Sequence, residues 1–111
     1  MGKIVIGVDS STQSTKAIAW DINGKAIAEG RCDIPLHNPS LEKFEQNVED
    51  WWRAFCVSTQ ELCQKIDINE VDGLAISNQR ETLAKLDSSG KEVYPATVWM
   101  DKRSVKEVEE L

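Results

Sequence analysis

The stretch that decides the fold is Lys3-Ile4-Val5-Ile6-Gly7-Val8-Asp9, followed by Ser10-Ser11-Thr12-Gln13-Ser14 and by Thr15-Lys16-Ala17-Ile18-Ala19-Trp20-Asp21. Its first part is an apolar run rich in β-branched residues, which predicts a buried strand. That strand ends in the carboxylate of Asp9, and hydroxyl side chains dominate the turn after it. Hydroxyls and backbone amides hold phosphate oxygens, and a carboxylate holds a metal ion or its waters. The stretch therefore predicts a phosphate-handling turn between two strands.

The next turn indicates that the chain begins with an antiparallel three-strand meander. Asn23-Gly24 lies between the second strand and a third one, which we place at residues 26–34. Asn-Gly between two strand-like runs is a strong hairpin signal, because both turn positions need positive φ. Walker A and Rossmann loops are excluded, since no glycine lies between Asp9 and Lys16.

The middle of the chain is interpreted as scaffolding. Residues 33–46 have the Pro, Asn and Ser content of a loop, and Asn47 is expected to cap a helix of about five turns. Sugar stacking is the alternative role for the two tryptophans of this helix, but helical spacing favours core packing for Trp52. The predicted core stripe comprises Val48, Trp52, Phe55, Thr59, Leu62, Cys63 and Ile66.

The second half of the chain is predicted to return to strands. We expect these at residues 72–77, 82–87 and 92–99. Asp101 is expected to cap a last helix. Basic side chains near it are expected at the surface, namely Lys102, Arg103 and Lys106.

Composition narrows the class of partner and the compartment. The net charge of −6 argues against nucleic acid and against anionic membrane surfaces. No apolar run approaches the ~20 residues of a membrane span, and Lys3 leads directly into a strand rather than into a signal peptide. Three cysteines without a C-x-x-C pair and a single histidine make a zinc site unexpected. We therefore expect a cytoplasmic protein that binds small molecules.

Three sequence blocks carry a resemblance to a known family. Asp9-x-x-Thr12, Lys16 and the Asn23-Gly24 hairpin resemble the first phosphate motif of the actin, hexokinase and Hsp70 fold. Leu74-Ala75-Ile76-Ser77-Asn78-Gln79-Arg80-Glu81-Thr82 is similar to a block of glycerol kinases, and Trp99-x-Asp101-x-Arg103 resembles a later segment. Together they resemble the N-terminal end of FGGY-family carbohydrate kinases. One difference is Ser11, where members of the family often have glycine.

The resemblance implies a fold, a reaction and a set of site residues. The fold is the α/β, ribonuclease H-like half of the actin-type architecture, with a mixed sheet flanked by helices. The reaction is phosphoryl transfer from ATP, with Mg²⁺, to a sugar or polyol hydroxyl. Asp9 is expected to orient Mg²⁺ through water, although an Asp after a strand often only caps a turn. The nucleotide phosphates would be bound by Thr12, Gln13, Ser14 and Lys16, and the sugar by Gln79, Arg80, Glu81 and Trp99.

The resemblance also implies that residues 1–111 are the first part of domain I of a longer, two-domain enzyme. The family's general base and its adenine contacts lie beyond this chain, so we expect the fragment to be inactive alone. Surfaces that the rest of the enzyme would cover are expected to drive self-association.

Substrate and functional class have alternatives. Residues 9–16 and Glu49-Asp50-Trp51-Trp52 look like xylulokinase-type relatives, whereas Gln79-Arg80-Glu81 points toward glycerol. We favour a pentulose such as xylulose over glycerol. An Hsp70-like or actin-like nucleotide machine shares only the first motif, and a non-catalytic sugar-binding or assembly module is the alternative outside enzymes.

Overall fold

The computed structural model describes residues 2–111, which divide into two compact units. Unit 1 comprises residues 2–34 and Trp51–Gln79, and unit 2 comprises Pro35–Asp50 and Arg80–Leu111. The helices are α1 (Val48–Cys63) and α2 (Val105–Glu109), with a short 3₁₀ turn at Ile68–Glu70. The strands are β1 (Ile4–Ser10), β2 (Ser14–Asp21), β3 (Ala26–Asp33), β4 (His37–Ser40), β5 (Lys43–Gln46), β6 (Val71–Asn78), β7 (Leu83–Leu86) and β8 (Glu92–Thr97).

Unit 1 is built on a mixed sheet with the strand order β3-β2-β1-β6. β1 pairs antiparallel with β2 and β2 with β3, while β6 pairs parallel with β1. Because side chains alternate along a strand, one face of this sheet forms the core. Its buried residues are Ile4, Ile6, Val8, Ala17 and Ala19, which cluster with Leu62 of α1. The predicted α/β fold and the opening three-strand meander are confirmed.

Helix α1 packs on this sheet through two small side chains and one leucine. Ala54, Ser58 and Leu62 are its buried residues. Gly30 of β3 determines this face, since a Cβ atom at Gly30 would lie 2.0 Å from the Ser58 carbonyl oxygen. The predicted burial of Trp52 is wrong, because Trp52 precedes the buried Ala54 by two residues and so points about 200° away around the helix.

The Trp52 side chain lies largely in solvent instead. It is 63% exposed and stacks on Phe55, with 5.5 Å between the ring centroids. One N–H group in the first turn of α1 is capped by a residue far away in the sequence, because the Glu92 carboxylate accepts the Val48 N–H at 2.8 Å. An acceptor from a strand far along the chain could not be anticipated from the residues beside the helix start.

The two outer edges of the unit 1 sheet differ. On β3, the Glu29 carbonyl accepts from Lys65 Nζ at 2.6 Å, and the Arg31 N–H donates to Glu61 Oε2 at 3.4 Å. Side chains from the end of α1 and just beyond it thus occupy backbone groups on that edge. β6 forms the opposite edge and pairs with β1 alone among the strands of the described residues.

The β2–β3 and β7–β8 hairpins share one turn, Asp-x-x-Gly-Lys. In the first, Asp21 Oδ1 accepts the N–H groups of Asn23 and Lys25, and Gly24 has φ of 79°. In the second, Asp87 Oδ1 does the same and Gly90 has φ of 84°. The predicted positive φ at both Asn23 and Gly24 is wrong, because only Gly24 takes it. Instead of a second positive φ, the turn is closed by the Asp21 carboxylate, which accepts the backbone N–H groups of Asn23 and Lys25.

Unit 2 contains a second, antiparallel sheet with the order β4-β5-β8-β7. The strands β7 and β8 were predicted, but β4 and β5 fall in residues 33–46, where we expected a loop. β4 contains Pro39 and has four exposed residues, so it lacks the apolar alternation that marks a strand. Within residues 2–111, no helix combines the length and apolar character that crossing a membrane requires.

Candidate active site

Asp9 and Lys16 lie opposite each other on the sheet face that α1 leaves uncovered. They are direct partners in the β1–β2 ladder, and Ser77 of β6 is level with Asp9 on its other side. An open groove of about 370 Å³ runs along this face. Its lining comprises Gly7, Val8, Asp9, Lys16, Ile18, Trp20, Ala75, Ile76 and Ser77. One end of the groove thus carries the side chains of Asp9, Lys16 and Ser77, whereas the rest of its lining is mostly apolar.

The hydroxyl-rich turn after Asp9 is fixed by three backbone hydrogen bonds. The Ser11 N–H donates to the Ser14 carbonyl at 2.9 Å, and the Ile34 N–H donates to the Gln13 carbonyl at 2.8 Å. The Gln79 N–H donates to the Ser10 carbonyl at 3.0 Å. Ser11 does not take positive φ, so the backbone accepts a side chain at this position. Gln79, predicted to bind substrate, is therefore tied to the turn predicted to bind phosphate.

Glu81 is the single non-glycine residue with positive φ among residues 2–111, at 56°. A side chain in this left-handed region costs of order 1–3 kcal/mol and is enriched at functional sites. Its neighbour Thr82 accepts the Trp99 N–H on its hydroxyl at 3.2 Å and donates to the Arg80 carbonyl at 3.5 Å. Within unit 2, the Thr82 hydroxyl therefore links the backbone of Arg80 to that of Trp99, and this threonine was not among the predicted site residues.

Trp99 lies in a β-turn that is anchored at both ends to Phe44. The Asp101 N–H donates to the Val98 carbonyl at 2.8 Å, which closes the turn. The Val98 N–H donates to the Phe44 carbonyl at 3.0 Å, and Asp101 Oδ2 accepts the Phe44 N–H at 2.8 Å. Val98 is 1% exposed, whereas Trp99 is 53% exposed. The turn thus presents a large aromatic ring to solvent from a fixed backbone.

Arg103 holds the carboxylate of this turn. Its Nε donates to Asp101 Oδ1 at 2.8 Å and its terminal nitrogen to Oδ2 at 2.6 Å. The same guanidinium reaches Glu45 at 2.8 Å and the Tyr94 hydroxyl at 3.3 Å. Hydrogen bonds from Arg103, together with the Phe44 N–H, hold the pKa of Asp101 well below its ordinary value. Asp101 and Glu45 in turn raise the pKa of Arg103.

This cluster corrects two expectations. Asp101 does not cap the last helix, because Ser104 is the N-cap residue of α2 and the Asp101 carboxylate bonds to Phe44 and Arg103. Arg103 is not a free surface cation, since its side chain is only 24% exposed. The spacing Asp-x-Arg was a usable signal for the pair, but Glu45 and Tyr94 are too distant in sequence to be seen as partners.

A family model of the FGGY family of carbohydrate kinases, N-terminal domain, matches residues 4–111. The chain belongs to the FGGY family. Its members are carbohydrate kinases, phosphotransferases that use ATP. The resemblance drawn from the three sequence blocks is confirmed.

Relatives of this FGGY domain are kinases of several different substrates. A glycerol kinase of Saccharolobus islandicus is 35% identical over 103 residues, which cover 92% of this chain and 21% of the relative. Gluconate kinase and ligand-bound xylulose kinase from Lactobacillus acidophilus each superpose with a TM-score of 0.90 at 28% identity, covering 96% of this chain and 22% of theirs. The chain thus spans about a fifth of the length of these relatives.

The Asp9 end of the groove offers few metal ligands within this FGGY domain. Among residues 2–111, no three His, Cys, Asp or Glu side chains come together as a metal site. Asp9 is exposed and lies beside the hydroxyl-rich turn. A single carboxylate suits Mg²⁺, which keeps several waters and is completed by substrate phosphates. Asp9 therefore fits a water-mediated magnesium role better than direct, multidentate coordination.

Proposed function

We propose that this chain is the N-terminal part of domain I of an ATP-dependent sugar or polyol kinase. The observation that carries the proposal is the hydrogen bond from the Gln79 N–H to the Ser10 carbonyl. It ties the residues that follow Asp9 to the beginning of the Gln79-Arg80-Glu81 block. The turn at residues 10–14 has the chemistry of phosphate binding, and Gln79 has the chemistry of hydroxyl binding.

The nucleotide side is assigned to five residues. Asp9 orients magnesium through water, and the ion would neutralise charge on the transferring phosphoryl group. Lys16, opposite Asp9 in the ladder, supplies a point charge to the phosphates. Hydrogen bonds to the phosphates are assigned to Thr12, Gln13 and Ser14. The backbone bonds that fix residues 11–14 support this role, because a fixed turn needs no reorganisation when phosphate binds.

The carbohydrate side is assigned to Gln79, Arg80, Glu81 and Trp99. Arg donates, Glu accepts and Gln does both, which matches the hydroxyls of a sugar or polyol. The strained backbone of Glu81 supports a functional role for its carboxylate. The half-exposed Trp99 ring supplies an apolar surface for the C–H groups of the substrate. This chain therefore contributes binding and orientation, and the general base is assigned to the remainder of the enzyme.

Two substrates have specific support. Residues 9–16 and 49–52 favour a pentulose such as xylulose, and the xylulose kinase at 28% identity agrees. The Gln79-Arg80-Glu81 block and the glycerol kinase at 35% identity favour glycerol. We keep a pentulose as the first candidate and glycerol as the second. Free thiols at Cys32, Cys56 and Cys63 suit the reducing cytoplasm, where we place the enzyme.

The deciding experiment is a substrate panel on the full-length protein with Mg·ATP. Xylulose, ribulose, gluconate and glycerol are compared by ADP release and by detection of the phosphorylated product. We expect one polyhydroxylated compound to be phosphorylated, and the purified 111-residue chain to show no turnover with any. ADP release without a sugar phosphate would favour the nucleotide machine. Sugar binding without turnover would favour the non-catalytic module.

A further inference from the structure

We propose that Asp101, held by Arg103, is a positioning residue that fixes the orientation of Trp99. The proposal rests on the proposed function only in taking Trp99 as a substrate contact. Asp101 itself is 3% exposed in its side chain, so its carboxylate does not meet a ligand from solvent. Its effect must therefore pass through the turn it closes.

The geometry gives Asp101 control over both ends of that turn. Its N–H bonds to the Val98 carbonyl at 2.8 Å, and its Oδ2 accepts the Phe44 N–H at 2.8 Å. Phe44 also accepts the Val98 N–H at 3.0 Å. Residues 98 and 101 are thus bonded to each other and to the same residue of β5. Trp99 occupies one of the two positions between them and has little backbone freedom left.

Arg103 determines which way the carboxylate points. Its guanidinium bonds to both Asp101 oxygens and also to Glu45, which neighbours Phe44 on β5. Two-point contact fixes the plane of the carboxylate as well as its distance. A lysine at this position would keep the charge but lose that plane. The pair therefore orients Trp99 through the backbone of the turn.

The chain offers a matched control in the same unit. Asp87 also accepts backbone N–H groups in a tight turn, those of Ser89 and Lys91 at 2.9 Å each. That turn joins β7 to β8 at the opposite end of the strands from Trp99. Asp87→Asn therefore removes a turn-closing carboxylate of the same kind without touching the Trp99 turn.

The test uses the full-length protein labelled with 5-fluorotryptophan, and the ¹⁹F resonance of each tryptophan is assigned by Trp→Phe variants. We expect Asp101→Asn to shift or broaden the Trp99 resonance and to leave that of Trp20 unchanged. Asp87→Asn should leave both unchanged. An unchanged Trp99 resonance in folded Asp101→Asn would overturn the proposal. If Asp101→Asn does not fold, Arg103→Lys is the second variant and is expected to shift the same resonance less.

Kinetics on the same proteins separate positioning from general stability. Asp101→Asn should raise the KM for the sugar about ten- to a hundred-fold and leave the KM for ATP unchanged. In a Trp99→Phe background, Asp101→Asn should have no further effect on the sugar KM. If the two substitutions instead raised the sugar KM independently, so that their fold-changes multiplied in the double variant, the proposal would be contradicted. If the wild type phosphorylates no sugar, the proposed function fails, and the ¹⁹F measurement alone decides the role of Asp101.

Discussion

At the scale of single residues, Glu81 and Asp9 are proposed site residues with different backbone geometry. Asp9 has ordinary strand geometry and is exposed by the alternation of β1. Glu81 is held at positive φ, which the surrounding chain must stabilise. Sequence motifs identified both residues, but only the structure reveals the strain at Glu81. That strain is an independent reason to regard it as functional.

Replacing each of these two carboxylates by alanine in the full-length enzyme is expected to change different kinetic constants. Asp9→Ala should mainly lower kcat, because the role proposed for Asp9 is exerted in the transition state. Glu81→Ala should raise the sugar KM about ten- to a hundred-fold, as expected for a lost charged hydrogen bond, and leave the KM for ATP unchanged. Steady-state kinetics with each substrate varied checks this.

Alanine keeps a Cβ atom at residue 81, so the backbone strain stays the same and the melting temperature should stay close to wild type. A folded Glu81→Ala enzyme with normal sugar KM and kcat would remove the Gln79-Arg80-Glu81 block from the sugar site.

The Asp101–Arg103 pair predicts a pH-dependent contribution to stability. The pKa of Asp101 is lowered by hydrogen bonds from Arg103 and the Phe44 N–H. A lowered pKa in the folded state stabilises the fold above the ordinary pKa, and the contribution is lost as pH falls. Asp101→Asn should lower the free energy of unfolding by about 1.5–3 kcal/mol near neutral pH, and by progressively less below about pH 4. Urea unfolding at several pH values checks this. A difference that stays constant into acid would show that the charge is not involved.

At the scale of elements, a close approach between β3 and α1 decides the core of unit 1. The apolar run of β1 and the Asn23-Gly24 signal were sufficient to predict the meander, because both are local patterns. The predicted stripe of α1 is right for Leu62, which is buried, and for Phe55, which packs against the core, but wrong for Trp52, which is 63% exposed. The close approach of Gly30 to Ser58 lies outside the helix sequence and could not be read from its spacing. β4 and β5 were missed because their pairing compensates for weak local preference. The Arg103 cluster joins residues from three separate segments and leaves no local pattern.

Gly30→Ala should be strongly destabilising, and Gly73→Ala should not. A Cβ atom at Gly30 meets the Ser58 carbonyl oxygen at 2.0 Å and the Leu62 nitrogen at 2.8 Å, so β3 and α1 must separate. Such overpacking costs about 1–3 kcal/mol or more. At Gly73 on β6 there is no atom within 4 Å of the new Cβ, so alanine should be neutral or slightly stabilising. Chemical denaturation of both variants measures this, and equal midpoints would contradict the packing argument.

At the scale of the whole molecule, the two edges of the unit 1 sheet have different consequences for association. Lys65 and Glu61 occupy outward backbone groups of β3, which discourages pairing with another strand. β6 carries only one charge, Asp72, and its Leu74 and Ile76 are 45% and 56% exposed. The edge formed by β6 is therefore the surface through which the isolated chain is expected to self-associate.

Ile76→Lys should shift the isolated 111-residue chain toward the monomer, because a lysine on an edge strand opposes further pairing. Ile22→Lys is the matched control, since Ile22 is 79% exposed but lies in the β2–β3 hairpin. Light scattering over a concentration series measures the mass of each. A wild-type chain that stays monomeric at high concentration would count against self-association, and equal effects of both lysines would exclude β6 as the surface.

The geometry of the β2–β3 hairpin affects the spontaneous deamidation of the protein. Asn-Gly sequences deamidate when the glycine nitrogen attacks the asparagine side chain, and Asn23-Gly24 is such a pair. Here the Gly24 N–H donates to the Asp21 carbonyl at 3.1 Å, and the Asn23 N–H donates to the Asp21 carboxylate at 2.9 Å. The N–H group of the attacking nitrogen is thus engaged in a hydrogen bond while the turn is closed. The β7–β8 hairpin has Ser89 in place of Asn23 and cannot undergo this reaction. The rate of Asn23 deamidation during storage is therefore a measure of how often this turn opens.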